Sequence, residues 1–393
     1  MRLPPGVADR LSDPAADLAP DDVARARAAL VAWFERHQRD LPWRRTSDPY
    51  AIWVSEVMLQ QTRVETVIPY YERFLGRLPT PRDLADADPE TVRALWSGLG
   101  YYRRAAQLQA AAKKVVASHA GRLPADPEAL AALPGFGPYT VGAVSSFAFD
   151  LPVPALDGNV KRVLARVHGV EGATDRGPAR RRIEAAAHSW VDAPQPGRTN
   201  ESLMELGATL CAPKRPACGR CPVATWCRAR AMEAIDRIPL PKVRAAPKRQ
   251  TWTAVCVWSE SRVYLEPRAA GMFAGLWCLP MTEGDDLAHA EDLVGVRAEV
   301  DGTIAELGTV EHVLTHRRLV VRVWGGPAAA PRRQRERSAG AGAWVPLSEL
   351  GERGVPTFTA KVLRAVLPPQ LRAEVRWRGR RSRALDQPGR PGG

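Results

Sequence analysis

From about Asp21 to Ala234 apolar positions fall in stripes at helical spacing, so this half of the chain reads as helix after helix. Asp21-Asp22 opens one helix, and an acidic residue followed by proline marks three more starts: Asp48-Pro49, Asp88-Pro89-Glu90 and Asp126-Pro127-Glu128. Gly98-Leu99-Gly100 and Leu133-Pro134-Gly135-Phe136-Gly137-Pro138 break the helices between them. At Pro239–Arg249 the chain turns rich in proline and basic residues, the composition of a linker. Beyond it come short β-rich runs, Trp252–Trp258, Arg262–Glu266 and Arg318–Trp324, with helix-like stretches near Asp285–Val294 and Ala360–Val366. The expected organisation is a disordered segment 1–20, a mostly α domain 21–236, a linker 237–250, an α+β domain 251–370 and a basic disordered tail 371–393.

At 393 residues the chain exceeds one compact core, in keeping with two domains. The net charge of +13 favours a polyanionic partner. No apolar run approaches the ~18 residues of a membrane span. Residues 1–18 have no apolar core of a secretory leader, so a cytoplasmic, nucleoid-associated protein is expected. Asn200-Glu201-Ser202 fits a glycosylation pattern that such a compartment would leave unused.

Four of the six cysteines, Cys211, Cys218, Cys221 and Cys227, crowd into one short segment, which reads as metal ligation rather than disulfide bonding. Four thiolates suit tetrahedral zinc or a [4Fe–4S] cube; the single Cys-x2-Cys pair and the long first gap favour the cube. Lys214, Arg215, Arg220 and Arg228 interleave the cysteines and offer either a phosphate-facing surface or a solvated one.

The turn holding Gly135 and Gly137 lies ahead of a helix start at Pro138-Tyr139-Thr140. Its bare backbone N–H groups can hold a DNA phosphate without reading a base, in the manner of a helix-hairpin-helix. Glu56 has Ile52, Trp53 and Leu59 on its helical face, and desolvation there raises a carboxyl pKa and keeps a proton available. Asp157 stands where a turn feeds a helix; amides at that N-terminus, with Lys161, are expected to keep it ionised. Asp before Gly is most often a cap. One protonated and one anionic carboxyl are nevertheless the pair that glycosidic cleavage requires.

The order of Ser55-Glu56-Val57-Met58-Leu59-Gln60-Gln61-Thr62, the hairpin, Leu156-Asp157-Gly158-Asn159-Val160-Lys161 and the four cysteines closely resembles the adenine DNA glycosylases of the MutY family, within the endonuclease III-like superfamily. The resemblance implies a helix-hairpin-helix glycosylase domain with a [4Fe–4S] loop at 211–227, followed by a Nudix-like domain. It implies a monomer acting on duplex DNA that carries A:8-oxoguanine or A:G mispairs, with adenine flipped out before it is removed. By resemblance Glu56 protonates adenine and Asp157 stabilises the sugar cation, with Tyr139 and Asn159 assisting. Trp43, Arg44 and Glu201 match positions lining the adenine pocket, and Gln61 and Tyr101 match residues pushed into the duplex. Gly135, Gly137 and Lys161 complete the expected DNA contacts.

Strand-cleaving relatives carry a Schiff-base lysine where this chain has Tyr139, so a monofunctional enzyme is expected. In the second domain, Gly275-Leu276-Trp277-Cys278-Leu279-Pro280 resembles a Nudix lead-in, but no Glu-rich metal helix follows, and recognition rather than pyrophosphate hydrolysis is expected. His312–His316 matches the loop that reads 8-oxoguanine, with Thr315 and His316 as its recognition residues. Leu314-Thr315-His316 stands where the family usually has Phe-Ser-His; threonine keeps the hydroxyl and leucine removes the ring. The competing readings are a glycosylase with lyase activity, a nucleotide pyrophosphatase with a DNA-binding appendage, and a non-catalytic iron–sulfur DNA-binding protein.

Overall fold

The structure, a computed structural model, describes residues 18–192, 194–240, 246–284, 304–328 and 342–377. Along the chain run α1 (Pro20–His37), α2 (Pro49–Leu59), α3 (Val64–Arg77), α4 (Pro81–Asp86), α5 (Pro89–Trp96), α6 (Arg103–Ser118), α7 (Pro127–Ala131), α8 (Pro138–Phe149), α9 (Gly158–Val167), α10 (Gly177–Val191), α11 (Pro196–Thr209) and α12 (Arg228–Ala231). After them come β1 (Lys248–Ser259), β2 (Arg262–Pro267), β3 (Trp277–Cys278), β4 (Met281–Glu283), β5 (Ala305–Val313), β6 (Arg317–Pro327), β7 (Ala343–Pro346), α13 (Thr357–Val366) and α14 (Pro369–Arg372). Among the described residues no helix is long and apolar enough to cross a membrane.

The Asp-Pro signals work as read. Asp48, Asp88 and Asp126 are each an N-cap whose carboxylate accepts from two backbone N–H groups of the first turn, with proline inside the start. Helix α2 buries every residue from Tyr50 to Met58, too wide an apolar surface for a one-sided amphipathic helix, so it runs through the interior.

Packing divides the chain differently from the linker-based boundary. One unit takes in 1–61, 79–85 and 110–244; the other takes in 62–78, 86–109 and 245–393. Two stretches expected in the helical domain therefore belong with the C-terminal sheet. Their bonds explain this: Ser97 Oγ donates to the Val355 carbonyl at 2.7 Å, and the Tyr102 hydroxyl donates to the same oxygen at 3.4 Å. Such side-chain bonds across more than 250 residues of sequence leave no local trace in composition.

The sheet of the second unit has the order β3-β2-β1-β6-β5, with β4 also on β1 and β7 also on β2. The central β1–β6 pair is parallel, from Lys248↔Arg317 to Trp258↔Pro327, and the other pairs are antiparallel. Val263, Leu265, Leu319, Val321 and Val323 face Phe358, Val362 and Leu363 of α13 in one core. Gly325 has φ +153°, and a Cβ there would lie 1.8 Å from the Cys256 carbonyl oxygen, so only glycine lets the two central strands close up. The disorder expected from Leu371 does not hold over the first residues of that segment: Pro369–Arg372 is helical, Val375 is in the core and Trp377 packs against it, while 378–393 lie outside the described residues. The apolar Val375 and Trp377 outweigh the surrounding arginines. The helix expected near 285–294 and most of the Arg-rich loop 327–338 lie outside the described residues.

Candidate active site

Three elements of the helical unit bring the carboxylates together. Helix α2 carries Glu56, α8 carries Tyr139 and the start of α9 carries Asp157. The glycine hairpin locks the first two. Gly135 has φ +78°, Gly137 caps α8, and Phe136 between them tucks under the helix with its ring 5.2 Å from that of Trp53. Burying a ring of that size contributes roughly 2 kcal/mol, and it ties the exposed hairpin to the helix that bears Glu56. Both glycines stay exposed, as a phosphate contact needs.

Gly142 sets the approach of the third element, because a Cβ there would meet the Pro154 carbonyl oxygen at 2.0 Å. Asn200, buried in α11, then clamps the strand-like segment ahead of Asp157. Its Oδ1 accepts from the Ala155 N–H at 3.0 Å, and its Nδ2 donates to the Val153 carbonyl and to Ser146 Oγ. A residue that the sequence marks only as a glycosylation pattern is thus an interior clamp.

Glu56 is 4% exposed and its Oε2 accepts a short hydrogen bond from the Tyr139 hydroxyl. Burial pushes its pKa up to about 7; Asp157 and Glu201 push the same way, while the Tyr139 bond and Arg44 pull down. Tyr139 itself is raised well above its ordinary value by burial and by Glu56, so it remains a neutral donor. Asp157 caps α9: its Oδ1 accepts from the Val160 N–H at 2.7 Å and its Oδ2 from Asn159 Nδ2 at 3.0 Å.

The structure adds two details to the expectation for Asp157. Burial lifts its pKa above the usual aspartate value despite the cap bonds and Asn159. The cation acting on it is Arg162 rather than Lys161. The reason is helical geometry: Arg162 Nη2 reaches back to Asn159 Oδ1 at 2.8 Å, while its Nε donates to the Cys211 carbonyl at 2.8 Å. Sequence reasoning missed Arg162, whose only signal was its place three residues after Asn159 on α9.

The pocket positions form an ionic cluster. Trp43 is buried, and Arg44 sits between Glu201 at 3.4 Å and Glu205 at 2.8 Å. Glu205 was not singled out by sequence reasoning, although its spacing of four from Glu201 puts both on one face of α11. Gln61 is exposed at φ +60°, and Tyr101, in the other unit, is 43% exposed at φ +49°.

Thr315 and His316 occupy the turn between β5 and β6, closed by the Leu314 N–H on the Arg317 carbonyl at 2.7 Å. Both are exposed, so His316 is not an interior strand residue. Within that same unit the Tyr101 and Thr315 hydroxyls share a hydrogen bond.

Cys211, Cys218, Cys221 and Cys227 line one pocket whose walls include Val163, Val167, Leu206 and Val223. Arg166 Nη1 donates toward Cys211 Sγ at 3.4 Å. Among the described residues no group of three or more Cys, His, Asp or Glu side chains converges tightly enough to hold a single metal ion. Lys214, Arg215 and Arg220 are exposed on this loop, but Arg228 is 1% exposed and is no part of its surface.

Residues 54–192 match the HhH-GPD superfamily of base excision DNA repair proteins, and residues 253–365 match the NUDIX domain. The chain is 34% identical to the adenine DNA glycosylase of Rattus norvegicus over 87% of its own length and 78% of that protein. It is 35% identical to the adenine DNA glycosylase of Homo sapiens over 77% of its length and 67% of that protein. Among solved structures it is similar to a thermostable thymine-DNA glycosylase, with 27% identity, a TM-score of 0.49, and coverage of 53% of this chain and 97% of that one.

Proposed function

The chain belongs to the adenine DNA glycosylase family, and from that premise we propose that it excises adenine mispaired with 8-oxoguanine or guanine by hydrolysing the N-glycosidic bond, leaving the strand intact. The observation that carries the reading is the Glu56–Tyr139–Asp157 constellation: a buried carboxyl with a pKa of about 7 beside a capped carboxylate. At neutral pH Glu56 holds a proton in a large fraction of molecules and delivers it to the extruded base. Loss of the base leaves oxocarbenium character at the sugar, which the Asp157 carboxylate offsets. Glu56, now ionised, accepts a proton from the attacking water. Asn159 holds Asp157 Oδ2, and Trp43, Arg44 and Glu201 shape the pocket for the base.

A phenol locked on Glu56 has no amine to form a Schiff base, which supports hydrolysis without strand cleavage. Recognition of 8-oxoguanine is assigned to the exposed turn with Thr315 and His316, which shares a hydrogen bond with the wedge residue Tyr101. Gln61 is the second insertion residue, and the Gly135–Gly137 hairpin with Lys161 holds the backbone.

The four cysteines would hold a [4Fe–4S] cluster. All four thiols line one pocket, and their spacing, with a single Cys-x2-Cys pair and a long first gap, supports such a core over one zinc. When bound, such a cluster would brace the loop 211–227 internally, and Arg162 and Arg166 of α9 hold that loop through the carbonyls of Cys211, Ala212 and Pro213.

Duplexes with A:8-oxoguanine, A:G and an oxidised pyrimidine test the activity. Release of adenine from the first two, with strand breaks only after added base, is the expected result. Strand cleavage at the rate of base release would refute the monofunctional reading. Iron analysis should return about four atoms per chain, and one zinc per chain would overturn the cluster.

A further inference from the structure

Glu205 has no exposed side-chain surface, yet it is an ionised group with an unusually complete set of partners. Its Oε1 accepts from the Arg39 N–H at 3.2 Å and from Arg39 Nε at 2.8 Å. Its Oε2 accepts from Arg39 Nη2 at 2.9 Å and from Arg44 Nη2 at 2.8 Å. Both oxygens are saturated, so the carboxylate has no capacity left for substrate or for proton transfer. Arg44 in turn has each edge engaged: Nη1 on the Arg39 carbonyl at 3.1 Å, Nη2 on Glu205, and Nε toward Glu201 at 3.4 Å, with the Phe34 ring 5.0 Å from its carbon.

We propose that Glu205 is a positioning residue of the adenine pocket, holding the Arg44 guanidinium against Glu201 so that the pocket keeps one arrangement of charge beside Glu56. This rests on the glycosylase reading above and adds to it a residue that touches neither base nor sugar. A buried ion cluster of this kind is a poor way to gain stability, because apolar side chains of equal volume do as well or better. What it supplies is a fixed direction for Arg44. Glu201 and Glu205 lie one turn apart on α11, where like charges repel, and Arg44 between them converts that repulsion into a defined bridge.

The consequence reaches Glu56 through charge. Glu56 is faced by Tyr139 from α8, Asp157 from the cap of α9, Glu201 from α11 and Arg44 from the turn Pro42–Arg44. Arg44 lowers the Glu56 pKa, and the carboxylate of Glu205 moderates that pull. With Glu205 neutral, Arg44 acts more strongly, and base release should begin to fail at a lower pH.

The test is Glu205→Gln beside Glu205→Asp, measured by single-turnover adenine release from an A:8-oxoguanine duplex across pH 5.5–9 and by affinity for that duplex. Glu205→Gln should lose about ten- to a hundredfold in rate, the scale of a small displacement in an active site. Its duplex affinity should change by less than about threefold, with the alkaline limb moved to lower pH. Glu205→Asp keeps the charge but shortens the reach, so it should lose less and keep the wild-type limb. An unmoved limb in Glu205→Gln, or equal losses in both variants, overturns the proposal. If Glu205→Gln does not fold, Glu205→Asp decides alone: a rate loss above about threefold at unchanged duplex affinity supports positioning, and a wild-type rate sinks it. A wild type that releases no adenine from any mispair sinks the activity reading itself, and this one with it.

Discussion

The helical unit buries two glutamates, Glu56 at 4% exposure and Glu205 at 0%, and gives them opposite chemistry. Burial pushes both carboxyls toward the neutral form. Around Glu56 a single phenol donates, and the pKa stands at about 7. Around Glu205, Arg39 and Arg44 supply four donors and two charges, which outweigh burial and hold the carboxyl below its ordinary value. Burial alone therefore does not make an acid catalyst. The number and charge of the donors decide whether an interior carboxyl keeps a proton to give away or becomes a fixed anion that aims its neighbours.

The largest expected effect comes from erasing one side of this contrast. Glu56→Gln should lower adenine release by about a thousandfold, the loss of a general acid. It should also change stability in a pH-dependent way. The folded-state pKa of Glu56 lies above its unfolded value, so its contribution is favourable at acid pH and is lost as pH rises from about 4.5 through about 7. Ionising the buried carboxyl at pH 8 costs up to roughly 3 kcal/mol, a cost that Gln avoids. The variant should melt several degrees higher than wild type at pH 8 and about equally at pH 4. Equal melting shifts at both pH values would break the comparison.

A smaller loss should follow from Gly207→Ala. A Cβ at Gly207 would lie 2.6 Å from the Asn159 Cβ, so Asn159 must move and with it the bond to Asp157 Oδ2. A drop of about tenfold in single-turnover rate is expected, without strand cleavage. A wild-type rate would show that Asp157 does not depend on Asn159. The smallest effect belongs to the other unit, where one exposed bond replaces a buried network. Thr315→Val keeps the shape and removes the hydroxyl that meets Tyr101. Preference for A:8-oxoguanine over A:G should narrow by about three- to tenfold, the scale of one hydrogen bond. Unchanged preference would remove Thr315 from lesion recognition.

Much of this was legible one residue at a time. Asp48, Asp88 and Asp126 cap their helices because a carboxylate ahead of proline satisfies first-turn amides through bonds that span only two or three residues. Glu56 was readable because the stripe of Ile52 and Trp53 dictates an apolar setting whatever packs against it. The grouping of the four cysteines was readable because their close spacing by itself brings them to one pocket.

Other features depend on partners brought from far along the chain. Arg162, Asn200 and Glu205 look like ordinary polar helix residues in the sequence, and each takes its role from groups on distant helices or loops. The grouping of 62–78 and 86–109 with the C-terminal sheet turns on Ser97, Tyr102 and the Val355 carbonyl. The sequence by itself determined the helical and α+β halves, the family, the acid on its apolar face and the four-cysteine loop, all set by short-range periodicity and spacing. Only the tertiary structure decided which polar groups are saturated, which cation faces Asp157 and which helices travel with the sheet, because hydrogen bonds and charge act through space between residues the chain keeps far apart.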